Sequence, residues 1–428
     1  MIQPSPVIAC NRSISMAAYP TLSRIDISSP PGAELLARAS RIASPEVIDI
    51  VNRLTRLFAV HSPFAPGFCC IGGEVALGGD NTGYASLMSV TGNGENFETA
   101  LVSCLAEAAD FLSQVERPGD VEVAGPRASI EASVADGWIA EIFTNIDHPV
   151  DWIRAKSAAA GTNVLLPADI CLRRALARQQ IIPPAPLSSG AAAGPDVASA
   201  ALRAVLELCE RDAVTLWWRG GRRPRGFPLE HPANRAATAL IERLRGPIRE
   251  RRTWLLDITA DLGIATVAAV SVEASGRGLA CGFAARLDEA DAACAAVLEL
   301  CQMEMSAPVA DIKRKEMGEN ALNDADRRHL RRADFSTIDC DLLAPAVGID
   351  LDPYEPPGNL DDLIDRLMRQ GIPLYLMDMT RADVKVPTVR AVSPALQPFT
   401  DTVLTDRLRR TREESGNAHL EVDGVSLM

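Results

Sequence analysis

Aromatic residues are scarce in this chain, 4% of 428, and basic residues are outnumbered, leaving a formal net charge of -13. A nucleic-acid binder needs a basic surface to neutralise phosphates and often aromatic planes on which bases stack, so both scarcities argue against that partner. The ten cysteines contain no C-x-x-C and one adjacent pair, Cys69-Cys70, which excludes zinc-ribbon spacing. The opening residues, MIQPSPVIACNRSISM, lack a basic start followed by a long apolar core, so no secretory signal is expected. The most apolar long stretch, 254–274, is interrupted by Asp257, Asp261 and Glu273 and reads as buried strands, not a membrane span. Also missing are G-x-x-x-x-G-K-[ST], G-x-G-x-x-G, the protein-kinase set and G-x-S-x-G. The triplet Gly92-Asn93-Gly94 reads by itself as a tight turn.

The composition that remains, 47% hydrophobic and 23% charged, is that of a globular protein able to bury a substantial core. Cys104, Cys209, Cys294 and Cys301 sit in apolar helical runs, where a thiol packs as a small hydrophobe; a reducing, cytoplasmic setting is expected. Residues 1–44, rich in Pro, Ser and Ala, read as an N-terminal extension. Ser44-Pro45-Glu46 supplies an N-cap, a Pro for the first turn and an acid, and Val47, Ile48, Ile50, Val51, Leu54 and Leu57 follow, predicting a helix. Segments 83–90, 264–272, 279–285, 374–379 and 387–392 have strand composition, 181–194 (IIPPAPLSSGAAAG) reads as a loop, and the charged stretch 313–332 as a solvated helix or linker. Helices and strands intermingle, so an α+β fold with mixed sheet is expected.

Three segments, 94–110, 194–210 and 286–302, align without gaps. Each has Ala at one offset (Ala100, Ala200, Ala292), Glu at a second (Glu107, Glu207, Glu299) and a carboxylate or amide three residues on (Asp110, Glu210, Gln302); V-L-E-L-C occurs in two of them. The first and third follow a predicted strand and the second a loop, which suggests a repeated strand-turn-helix unit. An i, i+3 pair shares one helix face, and an isolated acidic pair is ordinarily just a solvated surface. Three such pairs, each set among Ala, Leu, Val and Cys, are harder to explain that way. If they converge, the carboxylates must either be protonated, and so able to act as general acids, or be neutralised by cations. Glutamates on rigid helices suit Mg²⁺, whose oxygen ligands it commonly shares with substrate phosphates. A di-iron bundle would need Glu-x-x-His, and none of His61, His148, His231, His329 and His419 lies three residues after a glutamate.

With those residues in view, the sequence resembles the YcaO family across roughly 45–405. The motifs that carry the resemblance are S-C-L-A-E-A-A-D from Ser103 through Glu107 to Asp110, the Ser188-Ser189-Gly190 turn ending at Gly194, E-L-C-E-R-D-A from Glu207 to Ala213, E-L-C-Q from Glu299 to Gln302, and the run from Asp378 to Phe399. The resemblance implies strand-turn-helix units around a central ATP cleft in a catalytic domain, 45–405, followed by a tail, 406–428. It implies ATP and Mg²⁺ as cofactors: Glu107, Asp110, Glu207, Glu210 and Glu299 as metal ligands, and Ser103, Glu107, Glu207, Glu210, Arg219 and Gln302 near ATP or its phosphates. The implied activity is ATP-dependent phosphorylation of a backbone amide in a ribosomally made peptide, forming thiazoline or oxazoline rings from Cys, Ser or Thr. Thioamide formation and a non-catalytic ATP-binding scaffold are the alternatives. Asp110 stands where the family usually has Glu and Ser189 where it often has Asn, and the C-terminal HLEVDGVSLM departs from the Pro-rich tail of many azoline-forming members. The implied partners are a precursor peptide and a leader-binding protein (ubiquitin-activating-enzyme-like or TfuA-like), with a homodimer allowed.

Overall fold

The computed structural model describes residues 19–77, 87–131, 133–134, 136–146, 148–184, 186–338, 340–346, 351, 354–416 and 425–427. The chain opens with β1 (Thr21–Arg24) and the helices α1 (Pro30–Ala39) and α2 (Pro45–Asp49), then runs through β2 (Leu54–His61), β3 (Cys69–Ala76) and β4 (Leu87–Gly94) into α3 (Phe97–Gln114). The four strands form one antiparallel sheet in the order β1-β2-β3-β4. Next come β5 (Val121–Gly125), α4 (Gly137–Ile142), β6 (Val150–Ser157), β7 (Asn163–Pro167), β8 (Ala191–Ala193) and the long α5 (Val197–Trp218). Helix α6 (Pro232–Arg245) leads to β9 (Arg251–Asp257), β10 (Thr266–Glu273), β11 (Ala280–Ala285) and α7 (Glu289–Met303), with β9, β10 and β11 making a three-stranded antiparallel sheet. Then follow α8 (Ser306–Met317), α9 (Asp324–Asp334), α10 (Leu360–Arg369), β12 (Tyr375–Asp378), β13 (Thr388–Val392) and α11 (Asp406–Glu414). Strands β12 and β13 return to complete the sheet β5-β6-β12-β13-β8, with β7 on β6.

The repeat is real in three dimensions. Each aligned segment is a helix entered from a strand, β4 to α3, β8 to α5 and β11 to α7. Even the caps repeat: Asn96, Asp196 and Asp288 accept from the N–H groups of Thr99, Ser199 and Asp291 at 2.8, 2.7 and 2.9 Å. Two glycines let helix and strand touch. A Cβ on Gly92 would fall 2.2 Å from both Ala100 O and Cys104 N, and one on Gly282 would fall 2.2 Å from Leu300 N. Helix α5 is buried along most of its length, feeding Ala204 and Val205 into one hydrophobic cluster, Val214 and Trp217 into another, and Ala213 and Leu216 into a third.

Several expectations are corrected. The helix begun at Pro45 ends by Arg53, after a 3₁₀ turn, and Leu54 and Leu57 belong to β2. Both readings fit short apolar spacing, and pairing with β3 decides. The loop expected at 181–194 contains β8, because residues 191–193 find β13 as a partner. Gly92-Asn93-Gly94 is the end of β4, not a tight turn. The stretch 313–332 is spread over α8 and α9, and Arg332 is buried with Nη1 donating 2.6 Å to Leu427 O. Of the strand expected at 83–90, residues 83–86 lie outside the described residues, and β4 covers the rest.

The chain on either side of 45–405 joins the same body where it is described. β1 pairs with β2, α1 packs on α3, and Arg407 of α11 is buried against α5. Among the described residues no helix is long and apolar enough to cross a membrane. The described cysteines are all free thiols, and burial pushes Cys171, Cys209 and Cys281 up to about 12, as expected of thiols that only pack.

Candidate active site

The three units adjoin one another, and at two of the three junctions the residues at the repeated offsets make the contact. At the first offset each glutamate turns back onto its own unit. Glu107 accepts from Thr91 N, Glu207 from Gly190 N at 3.3 Å, and Glu299 from Phe283 N at 3.1 Å. At the second offset the side chain reaches the next unit. Glu210 of α5 accepts from Ala285 N on β11 at 3.1 Å. Gln302 of α7 accepts from Asn93 Nδ2 at 2.8 Å and donates to Thr91 Oγ1 at 3.1 Å, both on β4. The third corner, α3 beside β8, carries the shorter Asp110. One of its oxygens accepts from Gln114 Nε2 at 2.9 Å, and Gln114 is itself held by Arg173 Nε at 3.0 Å. The other, Oδ1, is buried without a hydrogen-bond partner among the described residues.

A cavity of about 350 Å³ opens at that corner, lined by Glu107, Asp110, Glu207, Arg203, Arg211 and Ser188 among others. Burial is the main force on its acids. It lifts Glu107 to about 7, with Asp110 and Glu207 adding repulsion, and lifts Asp110 to about 7, with Glu207 adding more. Glu210 rises to about 7 by burial against the pull of Arg211, and Glu299 is raised for the same reason. Glu207 repels all four, which places it at the electrostatic centre. Arg211 is the internal counter-ion, with Nη2 3.1 Å from Glu207 Oε1 and Nη1 3.6 Å from Glu210 Oε1, and these neighbours hold it firmly charged.

The expected site is therefore assembled in part. Glu107, Asp110 and Glu207 line one cavity, and Glu210 and Glu299 stand next to it around Arg211. Among the described residues no three His, Cys, Asp or Glu side chains are grouped to hold a metal ion. The acids turn onto backbone N–H groups and Arg211. Ser103 is exposed on α3 one turn before Glu107 and is not among the cavity's lining residues. Gln302 is a strut between units. Arg219 is elsewhere: it caps the end of α5, donates to Thr400 O and pairs with Asp401 at 3.3 Å. Nine residues of helix carry it more than two turns beyond Glu210. Sequence reading did not assign Arg211, although it stands inside E-L-C-E-R-D-A, nor Arg203, one turn before Glu207. It also overlooked Arg390, whose signal was a lone charge in the apolar run T-V-R-A-V.

The profile of the YcaO family, described as an ATP- and Mg²⁺-binding cyclodehydratase family, matches residues 91–397. The chain belongs to the YcaO family. A curated protein of Methanothermobacter thermautotrophicus, itself uncharacterized, is 27% identical over 328 residues, 72% of this chain and 81% of that one. Similar solved structures include a heterocyclase in complex with substrate and cofactor (TM-score 0.64, 20% identity, 86% of this chain), of which this chain spans about half, 54%. The YcaO protein of Methanopyrus kandleri bound with AMPPCP and Mg²⁺ follows (TM-score 0.62, 18% identity, 85% of this chain and 92% of that one). The E. coli microcin synthetase McbBCD complex is also similar (TM-score 0.55, 14% identity, 76% and 84%). At these identities the solved structures show a shared fold, the mixed helix-and-sheet YcaO architecture, with no closed barrel among the described residues.

YcaO proteins use ATP and Mg²⁺, and the residues at this corner fit both. Asp110 Oδ1 is a buried acceptor with nothing to accept, beside the hard carboxylate oxygens that Mg²⁺ prefers. Arg203 and Arg211 supply positive charge to the same cavity.

Proposed function

We propose that this chain activates backbone amides of a ribosomally made peptide at the expense of ATP, closing thiazoline or oxazoline rings on Cys, Ser or Thr. The observation that supports it best is the corner where α3 meets α5: Glu107, Asp110 and Glu207 share one cavity with two arginines, and Asp110 has an unfilled oxygen. Glu107, Asp110 and Glu207, with Glu210 and Glu299 beside them, are the residues that would hold Mg²⁺. Held there, the metal would offset phosphate charge and the nucleotide would supply the phosphoryl group that makes an amide oxygen a leaving group.

The protein's share is positioning and charge. Glu207 and Glu210 hold Arg211 at the cavity wall, where its guanidinium can meet charge developing on a transferred phosphoryl group. Glu107, with Asp110, can shed the protons that burial favours when a cation replaces them. In the substrate, the side-chain sulfur or oxygen bonds to the amide carbon. The nucleophile gives up its proton, and the former carbonyl oxygen of the amide takes the terminal phosphoryl group of ATP, leaving ADP. That oxygen departs as inorganic phosphate, while the nitrogen loses its proton and the C=N bond forms. The net change is loss of one water from the peptide, with its oxygen carried off in phosphate. A precursor whose Cys, Ser or Thr is preceded by an ¹⁸O-labelled carbonyl should therefore deliver the label to inorganic phosphate and lose the mass of water. Replacement of oxygen by sulfur would indicate the thioamide-forming reaction instead, and ATP binding with no change in any peptide would indicate a scaffold. We further propose that a leader-binding partner presents the peptide, which efficient modification by this chain alone would contradict.

A further inference from the structure

On the far side of Arg211 lies a second, smaller cavity of about 40 Å³, lined by Trp138, Pro183, Leu208, Leu396 and Pro398 as well as by Arg211 and Arg390. The same guanidinium thus walls both spaces. The walls are fixed. Trp138 is buried with its indole N–H bonded to Ser393 O at 2.9 Å, and Leu396 is packed in the core. Into this apolar setting comes Arg390 from β13, 5% exposed. Its Nη1 donates to Leu187 O, and its Nε has no hydrogen-bond partner among the described residues. A buried donor without an acceptor is an uncommon feature that asks what satisfies it.

Size and chemistry narrow the answer. An apolar cavity of about 150 Å³ holds benzene, so one of about a quarter of that takes a methyl-sized group and refuses a ring. Adenine is therefore too large. The other polar groups of the lining are largely engaged, Gln397 by Pro398 O, Val403 O and Thr405, Ser393 by Trp138 and Leu396 N, and Arg211 by Glu207 and Glu210. A bound water would find Arg390 Nε and the Ser189 hydroxyl, fewer partners than the roughly three a buried water ordinarily has. A peptide unit offers what is missing, a carbonyl acceptor with a small side chain attached, and the reaction needs a peptide beside the nucleotide cavity.

Building on the amide-activating function proposed above, we propose that this cavity is a substrate subsite. It takes an alanine-sized side chain next to the modified amide, while a backbone carbonyl of the peptide accepts from Arg390 Nε. Arg390 and Leu396 would then set which peptides this enzyme modifies, apart from any partner that selects the leader.

The test uses the full chain with Mg²⁺ and AMPPCP and two probes, N-acetylalanine N-methylamide and N-acetyltryptophan N-methylamide, followed by ligand-observed NMR. The alanine probe should bind in the millimolar range and the tryptophan probe about tenfold more weakly or not at all. Pro183→Trp, which crowds the rim, and Arg390→Met, which removes the donor, should each weaken the alanine probe about tenfold. Pro183→Trp should leave AMPPCP affinity unchanged and keeps the test open if Arg390→Met fails to fold. Equal binding of both probes, indifference to Pro183→Trp, or no alanine-probe binding up to about 10 mM in a chain that binds AMPPCP overturns the subsite alone. Failure of the wild-type chain to bind Mg²⁺ and AMPPCP overturns the proposed function, and the subsite with it.

Discussion

Two buried carboxylates on neighbouring helices of this protein meet opposite fates. Asp212, two residues beyond Glu210 on α5, is fully saturated. Arg407 grips it through Nε at 2.9 Å and Nη2 at 2.7 Å, and Gln397 N adds a third bond at 2.9 Å. Arg407 is shared with Asp261, and the two acids hold it firmly charged. Asp110 on α3 is also buried, yet one of its oxygens meets no partner among the described residues and it borders a cavity. Burying a charge is costly unless it is paired and hydrogen-bonded, so the first carboxylate is completed by the chain itself and the second awaits something the chain does not supply. The contrast separates a structural acid from a functional one by the company its oxygens keep, where burial alone would have ranked them together.

The largest expected effect attacks the completed side. Arg407→Met leaves Asp212 and Asp261 without their cation and should cost about 3–5 kcal/mol of stability, read from urea unfolding curves. If it costs under about 1 kcal/mol, the clamp is not what holds α11 to α5. On the open side, Glu207→Gln should lower ATP turnover at least about 100-fold in an ADP-release assay while leaving the melting temperature unchanged or higher, because it removes a charge that repels four others.

The third prediction concerns pH. In the metal-free chain Glu107, Asp110 and Glu210 sit at about 7, above the ordinary 4.5, 3.8 and 4.5. Between those limits these three groups bind more protons in the folded state than in the unfolded one, so their contribution to stability falls as pH rises from about 4 to 7 and then levels. Asp110→Asn should flatten part of that fall in thermal unfolding. It should also weaken Mg²⁺-dependent AMPPCP binding about tenfold. The smallest effect belongs to Arg219. Its partner Asp401 is 93% exposed, so Arg219→Ala should change stability by at most about 1 kcal/mol and nucleotide affinity not at all.

Much of the site was legible because a repeat is a sequence-level object. Identical offsets put Glu107, Glu207 and Glu299 on equivalent turns of α3, α5 and α7, whereas the shared caps Asn96, Asp196 and Asp288 emerged only from the folded chain. Leu54 and Leu57 were misread because apolar spacing over so few residues suits a helix and a strand alike. β8 was hidden by its length, three alanines with no strand preference of their own, made extended by β13. Arg219 lay close to the motif in sequence and far from it in space.

By itself the sequence determined the three repeated helical segments, the acids they carry and, through its motifs, the family, while the strand before the second helix needed β13. Offsets are local, and local geometry follows from residue order. Tertiary structure alone decided which oxygens would be filled. Whether Asp212 finds Arg407, 195 positions away, or whether Asp110 finds no partner, depends on which distant segments pack beside α5 and α3. A carboxylate's chemistry is set by its neighbours, and only the folded chain chooses them.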